Sequence, residues 1–260
     1  MNIDFHFHAS LSKKTGFLPE HFENSLHEAR RIGLTCIGLT DHFNVFNFEA
    51  IYEFLDATYP YQGAYYDADG LRLFPGMEVD VAEGPHLLLV GEREQVYYFH
   101  RQLAGFKEKG HHIPIAQYFE RQAGLSFLNI FAHPFRPGRE AMRVPVEYLA
   151  NFHAFDLNGK DMYTLGRENQ ADVYDLAATH HRKVTAGSDA HHFHQLGCVY
   201  NQFHHPLNNV QEIIQYIETG EYTIYVDEAL EEMVQTAERV KSGIKANWIS
   251  RNSATTQDEE

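Results

Sequence analysis

Apolar and polar positions alternate with a period of two at the start of the chain. Ile3, Phe5 and Phe7 fall on one face and Asp4, His6 and His8 on the other, which predicts a β-strand. A loop over 9–18 leads to Pro19, a residue suited to a helix start. Phe22, Leu26, Ala29 and Ile32 then follow at helical spacing as far as Gly33. Thr35 to Thr40 reads as a buried strand that ends in Asp41-His42, and the aromatic stretch from Phe43 to Tyr66 predicts one helix. Leu71 to Asp80 predicts a strand with Glu78 near its end. His86 to Val90 predicts another that begins with His86, as in an antiparallel hairpin closing back on the Glu78 strand.

Helical patterns over 94–108 and, less regularly, 111–124 precede a strand from Leu125 to Ile130 that runs into Phe131-Ala132-His133-Pro134. Ala154 to Leu157 predicts a short strand before Asn158-Gly159-Lys160, with a helix over 166–181. Lys183 to Ala186 predicts the strand that delivers Gly187-Ser188-Asp189-Ala190-His191. A helix over 209–219, a strand over 222–226 and a helix over 227–242 complete the pattern. The alternation implies an α/β fold on a mostly parallel sheet, with one domain over 1–250 and a polar, disordered tail over 251–260.

Composition narrows the function classes. The 260 residues include 19 Phe and 15 Tyr, enough for one large core. A formal net charge of -15 disfavours a non-specific grip on nucleic acid or an anionic membrane. The two cysteines, Cys36 and Cys198, make no metal-binding pair and no disulfide framework, so a cytoplasmic protein is expected. No apolar run approaches membrane-spanning length.

The candidate chemistry gathers where hydrophobic runs stop: His6 and His8, Asp41-His42, Glu78, His86, His133, and Asp189 with His191. Two histidines at i and i+2 on a strand lie roughly 6.6 Å apart along the backbone, and their ring nitrogens can converge on one ion. Asp189 and His191 share that spacing. Imidazole and carboxylate donors without thiolates suit zinc, manganese or iron. A carboxylate such as Glu78 can bridge two ions roughly 3.5–4 Å apart, a separation used in phosphoester chemistry. Arg136 and Arg139, just past His133-Pro134, are candidate phosphate clamps, because a guanidinium fork matches phosphate oxygens. Asn158 is a candidate for orienting a ligand. No nucleophile elbow and no phosphate-cradling glycine loop is present.

In order, His6-Phe-His8, Thr40-Asp41-His42, Gly76-Met-Glu78, His86, Ala132-His133-Pro134 and Gly187-Ser188-Asp189-Ala-His191 resemble the successive motifs of the PHP (polymerase and histidinol phosphatase) family. The resemblance covers roughly residues 3–205. It implies a distorted (β/α)7 barrel with two or three divalent metal ions at the strand C-terminal ends. It also implies hydrolysis of phosphoesters, for which a metal-bound hydroxide can attack phosphorus, and the acidic balance with no basic stripe favours a small phosphate monoester. By similarity, His6, His8, Glu78 and Asp189 hold one ion, Glu78, His86 and His133 a second, and His42 and His191 belong to a third.

Lys13 stands where the family usually carries an acidic residue or a histidine. Its ammonium is expected near His42 and His191, as a fixed positive charge for the phosphate. Asp41, Arg136 and Lys13 are therefore the candidate catalytic residues. The expected partner is a small phosphorylated substrate. Two other readings are open: a phosphodiesterase or nuclease, and a non-catalytic metal-binding module.

Overall fold

In the computed structural model, residues 1–255 are described. The chain builds strands β1 (Asn2–Phe7), β2 (Cys36–Leu39), β3 (Tyr66–Ala68), β4 (Leu71–Phe74), β5 (Gly76–Asp80) and β6 (His86–Val90). These are followed by β7 (Leu128–Phe131), β8 (Ala154–Asn158), β9 (Lys183–Gly187), β10 (Val199–Phe203) and β11 (Tyr222–Val226). The helices are α1 (Pro19–Arg31), α2 (Phe48–Thr58), α3 (Arg93–Gln102), α4 (Ile115–Arg121) and α5 (Val146–Leu149), then α6 (Gly159–Leu165), α7 (Asn169–Thr179), α8 (Val210–Thr219) and α9 (Leu230–Thr255).

The strands form two sheets, one ordered β11-β10-β1-β2-β4-β3 and the other β5-β6-β7-β8-β9. Both are mixed, which corrects the expectation of a mostly parallel sheet. β1, β2 and β4 run parallel, as do β7, β8 and β9, while β10, β11, β3 and the β5-β6-β7 meander pair antiparallel. The hairpin expected at His86 is present, with Asp80 opposite His86. Pro75 divides the single strand expected over 71–80, because proline cannot donate to a ladder. β4 thus stays in the first sheet while β5 passes into the second.

The ladders do not close into one ring; the sheets meet at two seams. At one, Asp189 N donates to His6 O (2.8 Å) and His8 N to Ala190 O (3.0 Å). At the other, Phe43 N donates to Glu78 O (2.8 Å) and Glu78 N to Asp41 O (2.9 Å). Gly187 makes the first seam possible, because a Cβ there would collide with the His6 side chain.

Around this frame the helices bury their apolar faces. Phe22, Leu26 and Ala29 of α1 are fully buried, and Phe22 packs on Phe7 of β1 with ring centroids 6.3 Å apart. α6 starts at Gly159, with the Asn158 side chain accepting from Asp161 N, seven residues before the helix expected from 166. α9 runs through Arg251 to Thr255, where a polar tail was expected; residues 256–260 of that tail lie outside the described residues.

Candidate metal centre

Glu78 lies at the middle of the cluster, 1% exposed, with five histidines around its carboxylate. His42 Nδ1 is 2.5 Å from Oε2, His86 Nδ1 is 2.8 Å from Oε1 and His133 Nε2 is 3.2 Å from Oε1. From β1, His6 Nε2 is 3.5 Å and His8 Nε2 3.8 Å from the same group. Asp189 faces the other side of the β1 pair, with Oδ1 3.2 Å from His8 Nε2 and 3.7 Å from His6 Nε2. His191 Nε2 is 3.8 Å from that oxygen, and its ring stacks on His8 with centroids 3.9 Å apart. All eight residues proposed as ligands are therefore brought together, drawn from both sheets across both seams.

Three groups have donor atoms close enough for shared ions: His6, His8 and Asp189; His42, Glu78 and His86; and His8, His42 and His191. His42 thus belongs with Glu78 as well as with the His191 side, whereas the resemblance assigns it to the latter alone. Among the described residues, His6 Nε2, both His8 nitrogens, His42 Nδ1, Glu78 Oε2, His86 Nε2 and His133 Nδ1 are buried without a well-formed hydrogen bond, although His42 Nδ1 abuts Glu78 Oε2 and His86 Nε2 lies beside Asp80. Buried polar atoms are costly when unpaired, and imidazole and carboxylate atoms gathered this closely suit a divalent cation. The residues fit the group.

Neighbouring groups decide which ring nitrogens are free. His6 Nδ1 lies 2.9 Å from Asp156 Oδ2, and the carboxylate accepts its proton, leaving Nε2 as the lone pair facing Glu78 and Asp189. His191 Nδ1 donates to Ser10 O (2.9 Å), which frees its Nε2 in the same way. His86 is held between Glu78 and Asp80, with Nε2 2.7 Å from Asp80 Oδ1. Asp4 accepts from His6 N and Ser188 N (both 3.0 Å), clamping the first seam behind the ligands.

Burial opposes the charged form of every group here, and the partners decide the outcome. His6, His8 and His86 overcome their burial through Asp189, Asp156, Asp41, Asp80 and Glu78, and their pKa values rise. Burial wins at His42, lowered to about 4, and at His133 and His191, also aided by the neighbouring cations Arg136 and His8 respectively. Glu78 and Asp189 are held well below the carboxylate range despite burial, by His86 and His42 and by Arg136 and His6. His133 and Asp189 also have positive φ, 32° and 57°, a backbone region that costs non-glycine residues about 1–3 kcal/mol.

The candidate catalytic residues lie around this cluster in places the sequence did not foretell. Asp41 accepts from Ser10 N (2.7 Å) and His42 N (2.9 Å), so it shapes the loop behind His8 and His42 as a positioning residue. Lys13 pairs with Asp80 (2.6 Å), the carboxylate that also meets His86, and its charge acts on His42. Arg136 donates to Asp189 Oδ2 (2.7 Å), Asp161 and Asn158, and so braces a ligand. Arg139 donates to Gly84 O and lies 3.5 Å from Asp80. Sequence reasoning missed Asp4, Asp80, Asp156 and Asp161. The available signal was a carboxylate inside an apolar strand, most plainly Phe155-Asp156-Leu157, since a buried charge needs a partner.

Residues 167–222 match the family described as PHP-associated. The sequence matches no curated protein. PsfC from Pseudomonas syringae PB-5123 shares the fold with a TM-score of 0.78 at 21% identity, covering 94% of this chain and 98% of that one. The lesion-specific endonuclease PfuEndoQ from Pyrococcus furiosus superposes with a TM-score of 0.67 at 22% identity, covering 86% of this chain and 57% of that one. An endonuclease Q bound to a 27-mer duplex with an abasic lesion at the active site gives 0.63 at 20% identity, covering 84% of this chain and 56% of that one. This chain therefore spans little more than half the length of the endonuclease Q chains. The matched segment and the ordered His, Asp and Glu motifs thus make the chain similar to PHP proteins, and the solved structures show an architecture it shares.

Proposed function

We propose that the protein is a metal-dependent phosphoesterase that hydrolyses a phosphate monoester. We read its two sheets as the opened ring of a distorted (β/α)7 barrel. The observation that carries the proposal is the set of buried nitrogens and oxygens without well-formed hydrogen bonds around Glu78. His6, His8, Glu78 and Asp189 would hold one divalent ion, zinc, manganese or iron, and Glu78, His86 and His133 a second. His42 and His191 lie at the edge where a third would bind. Ions bound there would supply Lewis acidity, lowering the pKa of water and neutralising phosphate oxygens.

The chain's own residues do the rest. Asp156 and Ser10 O hold protons on the far nitrogens of His6 and His191, so the near nitrogens stay available. Arg136 fixes Asp189, and Lys13 with Arg139 places positive charge around Asp80 at the rim. A terminal phosphate dianion suits that rim, while the net charge of -15 opposes a polynucleotide.

The likeness to endonuclease Q supports a second reading, cleavage of a phosphodiester in DNA. Protein reloaded with manganese or zinc should release phosphate from p-nitrophenyl phosphate faster than it cleaves the bis ester. Faster diester cleavage would favour the nuclease, and no turnover of either ester or of nicked and abasic duplexes would sink both readings.

A further inference from the structure

β5 carries two carboxylates at i and i+2, Glu78 and Asp80, and the hairpin sets His86 directly across from Asp80. The imidazole is therefore bracketed. Its Nδ1 lies 2.8 Å from Glu78 Oε1 and its Nε2 lies 2.7 Å from Asp80 Oδ1. His133 Nε2 approaches the same Glu78 oxygen at 3.2 Å, so Nδ1 is the His86 nitrogen that faces the shared centre. Nε2 is turned toward Asp80.

Asp80 is 2% exposed, and a carboxylate so buried needs partners. Lys13 Nζ holds Oδ2 at 2.6 Å, which leaves Oδ1 for His86. Arg139 Nη1 lies 3.5 Å from that same Oδ1 and is tied to Gly84 O in the hairpin turn, so it is a competitor fixed in place. Lys13 is seated as well, because its own carbonyl accepts from Phe46 N (3.1 Å). The contact between Asp80 and His86 is close without being aligned as a hydrogen bond, so the orientation of the carboxylate decides whether one forms.

We propose that Lys13 is a positioning residue for the metal centre. By gripping Oδ2 it keeps Asp80 Oδ1 on His86 Nε2, which places the imidazole proton there and leaves Nδ1 as a donor for the ion shared with Glu78 and His133. The inference rests on the second ion of the phosphoesterase reading. A carboxylate behind a ligating histidine fixes its tautomer and raises its basicity, and losing such a partner costs about 10–100-fold in metal affinity. The sign separates this role from that of a bare charge. A lysine acting only through space would repel a divalent cation, and its removal would tighten binding. A lysine that orients Asp80 does the opposite, because without it Arg139 draws Oδ1 away from His86.

The test is zinc binding to chelator-treated protein, measured by calorimetry for wild type, Lys13→Met, Lys13→Arg and Asp80→Asn. His86→Ala identifies the binding step that belongs to His86. The Lys13 side chain is 35% exposed, so Lys13→Met should fold as wild type does. It should weaken the His86 step about tenfold and leave the other step unchanged, and Lys13→Arg should recover most of that loss. Asp80→Asn should weaken the same step at least as much. A His86 step that is unchanged or tighter in Lys13→Met would overturn the inference alone, as would equal weakening of both steps. A wild type with a single step, or none, would sink the two-ion reading and this inference with it.

Discussion

Asp156 meets the candidate metal centre through His6, and its effect is directional. Its Oδ2 takes the His6 Nδ1 proton at 2.9 Å and also accepts from Asn158 Nδ2 at 2.9 Å. Asp156→Asn keeps the volume but can turn an NH2 toward Nδ1, which moves the proton to the nitrogen needed for metal. The expected result is roughly 10–100-fold weaker metal binding, read by competition against a chelator. Unchanged affinity would mean that His6 is not a ligand. His6→Ala should abolish phosphate release while the far-ultraviolet circular dichroism stays native, because it removes a donor and little core volume; full activity would refute the placement of the ion. Asp189→Ala is a poorer probe, since it strips Arg136 of one of its two carboxylates. Breaking such a pair costs on the order of 3 kcal/mol, so lost activity there would mix chemistry with stability.

At the scale of elements, α9 makes a prediction of its own. Burial, then Lys160, lowers the Lys241 pKa to about 8, against partial support from Glu238 and Asp189; Lys245 also lowers it. The unfolded chain holds this proton up to the ordinary lysine value, so between pH 8 and about 10.5 it binds more protons than the native state. Wild-type stability should therefore gain with rising pH in that window, a gain absent from Lys241→Met. The variant should melt higher than wild type below pH 8, by about 2–4 °C per kcal/mol, and the difference should shrink toward pH 10.5. A constant difference across that range would show that the lysine is freely solvated.

The elements also show what the sequence made legible. Strands whose apolar run ends in a ligand, such as β1 and β9, were readable, because burial on both faces and an abrupt polar stop coincide. The hairpin at His86 was readable for a similar reason. β10 was not, since Val-Tyr-Asn-Gln-Phe lacks an apolar run. Its Asn201 earns burial only in the folded state, bonding Ile3 O, Ala186 N and Ala186 O across the first seam. The ligand set could be listed from motifs, but the carboxylates behind it could not, because Asp80 and Asp156 find their histidines only through strand pairing. The Asp80 partner of Lys13 was hidden for the same reason, being 67 residues away.

For the whole molecule, the two sheets are joined where the ligands converge. β1 and the residues after β2 bring His6, His8 and His42 from one sheet, while Glu78, His86, His133, Asp189 and His191 come from the other sheet and the loops that follow its strands. Backbone pairing at the seams is short, so ions bound between the sheets would act as cross-links as well as cofactors. Ligand binding to the native state stabilises by about 2.7 kcal/mol at one hundred times the dissociation constant. For a chain of this size that is roughly 5–10 °C in Tm. Chelation should produce such a drop, and zinc or manganese should reverse it. The loss should also be local. Hydrogen exchange should accelerate most at His8 N, Phe43 N, Glu78 N and Asp189 N, the amides that close the seams, and least in the ladder between β10 and β11, which lies outside them. Uniform acceleration would instead mean that the metal stabilises the fold without bridging its halves, and an unchanged Tm would mean that the sheets hold together on their own packing.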